Sequence, residues 1–407
     1  MNKRKLLTLM GGHITRFLMR DEFVTARAAG DVEGTNLEPL GGVRNVIDTE
    51  NKLTISGNRL VFSGGKSSLA FADPAYYQPA VSRLAGRALW FEITGTTISG
   101  LLSHFGFADR KAASEVGLLI RQLSTSIVLR ATNNSPVLTT VTEGVSYQCL
   151  LVLRAAGGFL YIKGGTEFPT WELVGLTQED TTATLYPAIS DYASVLSFDF
   201  YNILLGRWLQ SPICSDGFSA AGTTDGAGHP ETTGLGSGGS GYAWSDIIGT
   251  SGVSGGKWVT SALDGGVGLA LLDTGLTSYH LYADLVVAGD TVGLIARYQD
   301  ADNYISAVHN GTNLVVNKVV AGSATELISA AATYAANARL WIIANGTSFR
   351  FIYNNVLIGA AQTIADATLQ TGTKAGIING NVSNTVDNFV CYSNGKGGQL
   401  GDLVKFF

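Results

Sequence analysis

At 407 residues the chain is long for one domain and comfortable for two, and a 45% hydrophobic content can fill a sizeable core. Charged residues make up only 14% and the net charge is −5, so no basic stripe is available to neutralise nucleic-acid phosphates. The 51 glycines against 8 prolines, among many short apolar runs, point to an all-β chain rich in tight turns, and no run approaches the roughly 20 apolar residues of a membrane-spanning helix.

Residues 1–20, MNKRKLLTLMGGHITRFLMR, begin with the basic residues of a secretory signal. Their apolar run LLTLM is shorter than the roughly 7–15 residues such a signal needs, and His13, Arg16 and Arg20 stand where a small-residue cleavage site belongs. The segment reads as a retained amphipathic attachment element, with a fraying tail as the plainer alternative. A first β-rich region covers 21–208. It opens with the hairpin KLTISGNRLVFSGG, turned at Gly57-Asn58, and continues through RALWFEIT, EVGLLIRQL, SIVLRAT, SYQCLLVLR and GFLYIKGG.

The second region covers 213–395 and leaves 396–407 as a C-terminal tail. Twelve of the 36 residues from 221 to 256 are glycine, which suits a linker. Tyr242, Trp244, Ile247 and Ile248 lie in the same tract, and a mere linker would not need them. The tract is therefore expected to be a long loop lying on the second domain. Beyond it come GKWVTSAL, GLALLDT, YHLYADLVV and then 291–318, TVGLIARYQDADNYISAVHNGTNLVVNK. That stretch is three apolar runs separated by QDAD and NGTN, the signature of a three-stranded meander. ARLWIIANG, FRFIYNNVLIG and AGIINGNVSNTVDNFVCYS complete the region.

The halves resemble one another in order. ISGNRLV aligns with VSGGKWV, RDEF with SDGF, and FDFY with VDNF, pairing Asp21 with Asp216, Phe23 with Phe218 and Asp199 with Asp387. Such a series suggests a duplication. The three cysteines do not make a disulfide framework. Cys149, in YQCLLVL, reads as a buried small residue. Cys214 and Cys391 fall near the two ends of the second region. They could be bridged if its first and last strands are neighbours, and both also fit ordinary core or edge positions.

The succession D-x-F, a Gly-rich loop with Trp, G-L-x-A-R-Y-x-D-x-x-N-Y, a late strand pair and a closing V-D-N-F resembles concanavalin A-like (laminin-G-like) jelly-roll modules. The first half, with LRAAGGFLYIKGGTEFPTWELV, is similar to repeats of bacteriophage virion structural proteins. The resemblance implies two tandem antiparallel β-sandwich (jelly-roll) domains, a fold whose concave face often carries carbohydrate. Related modules sometimes hold a structural Ca²⁺ between the first and last strands. Asp216 and Asp387 are the residues that could share it here, with Asp21 and Asp199 as the weaker pair; turn-capping by each Asp is the alternative.

A glycoside hydrolase would need two facing carboxyl groups. The E-x-D-x-E pattern of jelly-roll glucanases is absent: Glu92 stands alone in LWFEITG, and Glu172, Glu179, Asp180 and Glu326 fall in apparent loops. The five histidines show no metal-helix spacing. Phe349, Phe351 and Tyr353 alternate along one strand, as core residues or a sugar platform would. Tyr242, Trp244, Trp258 and Tyr298 are the better ligand candidates, being set among loops and polar neighbours. Arg297 is expected on the opposite face of its strand from Tyr298 and exposed to solvent, and Asp300 and Asp302 are expected to form a hairpin turn. The leading expectation is a non-enzymatic phage virion structural protein (capsid decoration, fibre or tail-associated adhesin). It would dock on other virion proteins through residues 1–20, contact a surface glycan, require no cofactor and form homo-oligomers. A secreted, extracellular pair of carbohydrate-binding modules is the alternative, and a diverged glycoside hydrolase is the third reading.

Overall fold

The computed structural model describes residues 19–37, 39–40, 42–63, 75–77, 81–82, 87–97, 102–108, 117–123, 125–130, 138–154, 157–177, 184–192, 197–207, 213–218, 244–287 and 290–393. About two-thirds of these residues are in antiparallel strands (66%), and the helical element among them is the single 3-10 turn Leu369–Thr371. The chain passes from one compact unit to a second between Leu209 and Gln210.

In unit 1 one sheet runs, edge to edge, through Phe168–Thr177, Gly158–Gly164, Ser146–Leu153, Arg87–Thr97, Ser197–Arg207, Met19–Asp21 and Pro39–Leu40. The hairpin Leu53–Ile55/Leu60–Ser63 joins it on Ser197–Arg207. The facing sheet runs through Thr139–Thr140, Ser126–Arg130, Gly117–Leu123, Leu102–Ala108, Thr184–Tyr192, Ala75–Tyr77 and Asn45–Ile47. Alternate residues of both sheets meet in one core. Phe91 and Phe200 from the first sheet pack edge-to-face on Phe105 from the second, at 5.3 and 5.6 Å between ring centroids.

Unit 2 repeats this strand order. Its first sheet runs Val356–Leu357, Ser348–Tyr353, Ala338–Asn345, Tyr279–Val287 and Thr385–Ser393, then the hairpin Lys257–Ala262/Thr250–Ser254, with Cys214–Asp216 also on Thr385–Ser393. Its second runs Ser323–Ala331, Asn313–Val320, Asn303–His309, Val292–Asp300, Lys374–Asn379, Gly268–Asp273 and Ser245–Ile248. The period of two is plain in Tyr279–Val287: Tyr279, Leu281, Ala283 and Leu285 enter the core, while His280, Tyr282 and Asp284 take the other face.

Local details repeat as well. The first hairpin of unit 1 turns on Gly57 (φ 60) and Asn58 (φ 59), and that of unit 2 on Gly255 (φ 60) and Gly256 (φ 72). A two-residue hairpin loop with both residues at positive φ matches the twist of the strands it joins. Each unit begins with a buried aspartate whose carboxylate folds the chain back on itself. Asp21 Oδ1 accepts the Phe23 N–H at 3.2 Å, and Asp216 Oδ1 accepts the Phe218 N–H at 2.8 Å. Both phenylalanines are held in the left-handed region, at φ 52 and 50, and both rings are buried. A bulky residue there costs about 1–2 kcal/mol, which the hydrogen bond and ring burial must offset.

The second carboxylate oxygen takes different donors in the two units. Asp21 Oδ2 accepts Arg44 Nε at 2.8 Å and the Tyr76 hydroxyl at 3.0 Å, while Arg44 NH2 reaches Oδ1 at 2.7 Å. Asp216 Oδ2 accepts the Trp244 indole N–H at 3.0 Å. Further along, Arg59 pairs with Asp199, and Lys257, at the aligned position, partly offsets the upward pKa shift that burial gives Asp387.

Two expectations need correcting. The tract 221–256 is not one long loop: Ser245–Ile248 and Thr250–Ser254 are strands, because Ile248 and Val253 pack against core residues. Met19 and Arg20 belong to a strand paired with Ser197–Arg207 and not to a separate attachment segment. The rest of that segment, the tail 396–407 and Tyr242 lie outside the described residues.

Because Arg44 and Asp21 are both fully buried, Asp21→Asn removes the carboxylate that pairs with the Arg44 guanidinium, and we expect unit 1 to lose about 3–5 kcal/mol. Asp216→Asn weakens the acceptor of a neutral indole donor and should cost unit 2 about 1–3 kcal/mol. Denaturant unfolding of both variants checks the difference; equal losses would contradict the assignment of the charge.

Candidate functional site

The candidate site grows from the hairpin Val292–Asp300/Asn303–His309 in the second sheet of unit 2. Val292, Leu294 and Ala296 point into the core, so Gly293 and Ile295 take the outer face. At Arg297 the alternation breaks. The residue sits at φ 52, and the pairing slips between Ile295 and Tyr298 on one side and between Ala296 and Asp300 on the other. One extra residue in a strand reverses the facing of everything beyond it. Arg297 therefore follows Ala296 inward and Tyr298 joins Ile295 outside.

The expected solvent-facing arginine is instead fully buried. Its guanidinium donates to the carbonyls of Leu369 (3.1 Å) and Gly346 (2.9 Å) and to Gln370 Oε1 (3.3 Å), and it lies 5.4 Å from the centroid of the Phe349 ring. Its backbone N–H donates to the Tyr279 hydroxyl at 2.8 Å. Burial pushes the guanidinium pKa down, and Tyr279 partly opposes the shift. The side chain ties the bulge to the Leu369–Thr371 turn and to the loop at Gly346, as a cation does where aligned carbonyls converge.

Outside, Tyr298 stacks on Tyr304 with ring centroids 6.0 Å apart and planes 25° from parallel. Leu269, Leu271 and Ile295 pack beside Tyr298, and Ile248, Ile378 and Tyr304 complete the cluster. Tyr298 is 6% exposed and Tyr304 is half-buried, so Tyr304 presents the accessible ring and Tyr298 backs it. The hairpin turn stands at the edge. Asp300 Oδ1 accepts the Asp302 N–H at 2.9 Å and Asn303 Nδ2 at 2.8 Å, as expected of a turn. Burial, and then Asp300, Tyr304 and Asp302, hold the Tyr298 hydroxyl above its ordinary pKa; burial and Asp302 do the same for Tyr304. The result is an apolar aromatic face bordered by two carboxylates.

The other sequence candidates are not brought to this face. Trp244 is 1% exposed in the core, edge-on to Phe389 at 4.9 Å, with its N–H on Asp216. Trp258 is 2% exposed in the same core, and its indole nitrogen finds no partner. Both were expected among loops. The strands within the Gly-rich tract and the hairpin after it carry them inward instead, so neither offers a ring to a ligand. Phe349, Phe351 and Tyr353 are core residues.

For calcium, the Asp216 carboxylate already accepts N–H donors at both oxygens, whereas Asp387 accepts the Asn388 N–H at 2.7 Å and has its pKa raised, chiefly by burial. A Ca²⁺ site needs six or more converging oxygens. Both oxygens of Asp216 are thus engaged by N–H groups, and among the described residues no group of three metal-ligating side chains gathers. Asp21 is likewise committed to Arg44 and Tyr76, and Asp199 to Arg59. Glu92 stands opposite Gln148 in the strand pairing of the first sheet of unit 1.

Sequence reading passed over Tyr304 and an aromatic row on the first sheet of unit 2. In that row His280 stacks between Tyr392 (5.1 Å) and Trp341 (6.0 Å), and Arg339 lies over Tyr282 at 4.0 Å while pairing with Asp284. His280 and Trp341 are buried, so the row is no open platform. The signal for Tyr304 was present: it lies across the QDAD turn from Tyr298.

No protein-family model matches the chain, and no curated protein matches it. Among solved structures it is similar to a carbohydrate-binding module, CBM66, from Bacillus subtilis, with 14% identity and a TM-score of 0.30 over 37% of this chain and 95% of that one. It is also similar to a β-1,3-glucanase from Mycobacterium marinum, with 11% identity and a TM-score of 0.30 over 47% and 98%. A third is the GH43 protein BlXynB from Bacillus licheniformis, with 10% identity and a TM-score of 0.27 over 89% and 75%. Likeness at these scores does not bear on what this chain binds.

Replacing Arg297 by Ala or Gly removes the same guanidinium bonds, at about 1.5–3 kcal/mol, yet only Gly accepts the positive φ without strain. We expect Arg297→Ala to be less stable than Arg297→Gly by about 1 kcal/mol; thermal unfolding of the pair checks this, and equal stabilities would remove the bulge from the account. The hydroxyl of Tyr279, deeply buried, has its pKa raised chiefly by burial, and those of Tyr298 and Tyr304 are raised too. Stability from these groups is fully present below the ordinary tyrosine value of 10.0 and is lost as pH rises through their higher folded values. Unit 2 should therefore unfold at alkaline pH in step with tyrosinate absorbance.

Proposed function

We propose that this chain is a non-enzymatic adhesion protein of two β-sandwich units, displayed on a virion, and that unit 2 binds carbohydrate through the Tyr298–Tyr304 face. The observation that supports carbohydrate binding is the stacked tyrosine pair turned to the outer side of the sheet by the Arg297 bulge, with Asp300 and Asp302 beside it. A sugar ring has an apolar C–H face and a rim of hydroxyls. An aromatic ring takes the first, and carboxylate oxygens accept hydrogen bonds from the second. The virion setting follows the resemblance of the first half to phage structural repeats. In that setting the protein works without a cofactor and presents its units in several copies, which multiplies a weak single-site affinity.

A glycan array probed with the whole protein identifies the ligand, and affinity electrophoresis in gels containing it measures retention. Tyr304→Ala should weaken retention at least tenfold with a melting temperature close to wild type, and Tyr298→Ala should weaken it by removing the backing ring, with a lower melting temperature because that ring is buried. Unchanged retention in both variants would overturn the site. Release of new reducing ends from the bound glycan would overturn the non-enzymatic reading.

A further inference from the structure

The first strand of unit 2, Cys214–Asp216, lies antiparallel on the last, Thr385–Ser393, and the register sets Cys214 directly opposite Cys391. Opposed residues of an antiparallel pair have Cα atoms about 4.5–5.5 Å apart, inside the window that a disulfide spans without moving the backbone. Both side chains belong to the same buried core, so both point to one face of the sheet. Both are free thiols in the structure, and the neighbouring Cys214 adds to the upward shift that burial gives the Cys391 pKa. The third cysteine, Cys149, is buried in the core of unit 1.

We propose that Cys214 and Cys391 are a cross-linking site, closed to a disulfide by a small-molecule disulfide oxidant, which bolts the opening strand of unit 2 to its closing strand. The thiolate of one cysteine attacks a sulfur of the oxidant, forming a mixed disulfide and releasing one thiolate. The second cysteine then attacks the protein sulfur of that mixed disulfide and releases the other. In sum, two protein thiols and one oxidant disulfide become one protein disulfide and two small thiols, with both electrons passing to the oxidant. Both sulfurs are fully buried, and burial raises the Cys391 pKa, so exchange in the folded protein is slow. The bond forms during folding, or when the three-residue strand lifts away. Its effect is large because it closes nearly the whole of unit 2 into one loop, which restricts the unfolded chain. This inference does not depend on glycan binding.

The full chain is refolded from denaturant with oxidised glutathione, and in parallel with dithiothreitol; both products are unfolded, alkylated and mapped by mass. After alkylation the oxidised product should carry one alkyl group where the reduced product carries three, with Cys214 joined to Cys391 and Cys149 alkylated. Its unit 2 transition should rise by about 10 °C over the reduced form and fall back on reduction. Cys214→Ala and Cys391→Ala should show neither change, and if either variant does not fold, the wild-type map decides. Three alkylated cysteines after oxidative refolding, a bridge through Cys149, or a bridged form no more stable than the reduced one would each overturn the proposal.

Discussion

A buried aspartate two residues before a left-handed phenylalanine anchors each unit. The short opening strand has little of its own to hold it: three residues fix few hydrogen bonds for the entropy they lose. The carboxylate supplies the rest. One oxygen closes the turn onto the phenylalanine N–H, so the ring swings into the core, and the other reaches across to a distant part of the same unit, Arg44 and Tyr76 in the first and Trp244 in the second. Around the same device the two units have kept one strand order while changing the donor from a charged group to a neutral one. A buried charge pair demands its partner more strictly than a buried indole does.

The face assigned to carbohydrate depends on a second local constraint. Had the strand carrying Arg297 kept strict alternation, the guanidinium would be outside and Tyr298 would be one more core ring beside Phe349 and Phe351. The left-handed residue reverses both. A glycine would make that bulge at lower backbone cost; arginine makes it and also ties the bulge to Leu369 and Gly346. The stacked tyrosines are thus set on a rigid part of the sheet, which suits a platform that must meet a ring-shaped ligand without reordering.

Much of the fold was legible in the sequence. Alternating apolar runs with Gly-Asn, Gly-Gly and Asp-rich turns announce antiparallel strands, and the ordered matches between the halves anticipate the shared topology. Strands inside the Gly-rich tract were hidden because glycine carries no side chain to show alternation, so Ser245–Ile248 and Thr250–Ser254 passed for loop. The site was legible only in part. Tyr298, Trp244 and Trp258 were all read as ligand candidates; Tyr298 takes the outer face but is itself 6% exposed, and tertiary contacts draw both tryptophans into the core. Facing depends on register, and register turns on single-residue bulges that composition does not reveal. Arg297 is the clearest case: an arginine in a strand is ordinarily solvated, and only the convergence of carbonyls from two loops explains its burial.

The central claim is that the Tyr298–Tyr304 face is where this chain meets its ligand. The most direct measurement is an NMR titration of protein labelled on its tyrosine rings, using the glycan that the whole protein retains. The account predicts that the Tyr304 ring signals shift most and those of Tyr298 next, while buried Tyr279 and Tyr353 stay in place. Shifts centred on other tyrosines, or saturation of the ligand with Tyr298 and Tyr304 unmoved, would contradict it.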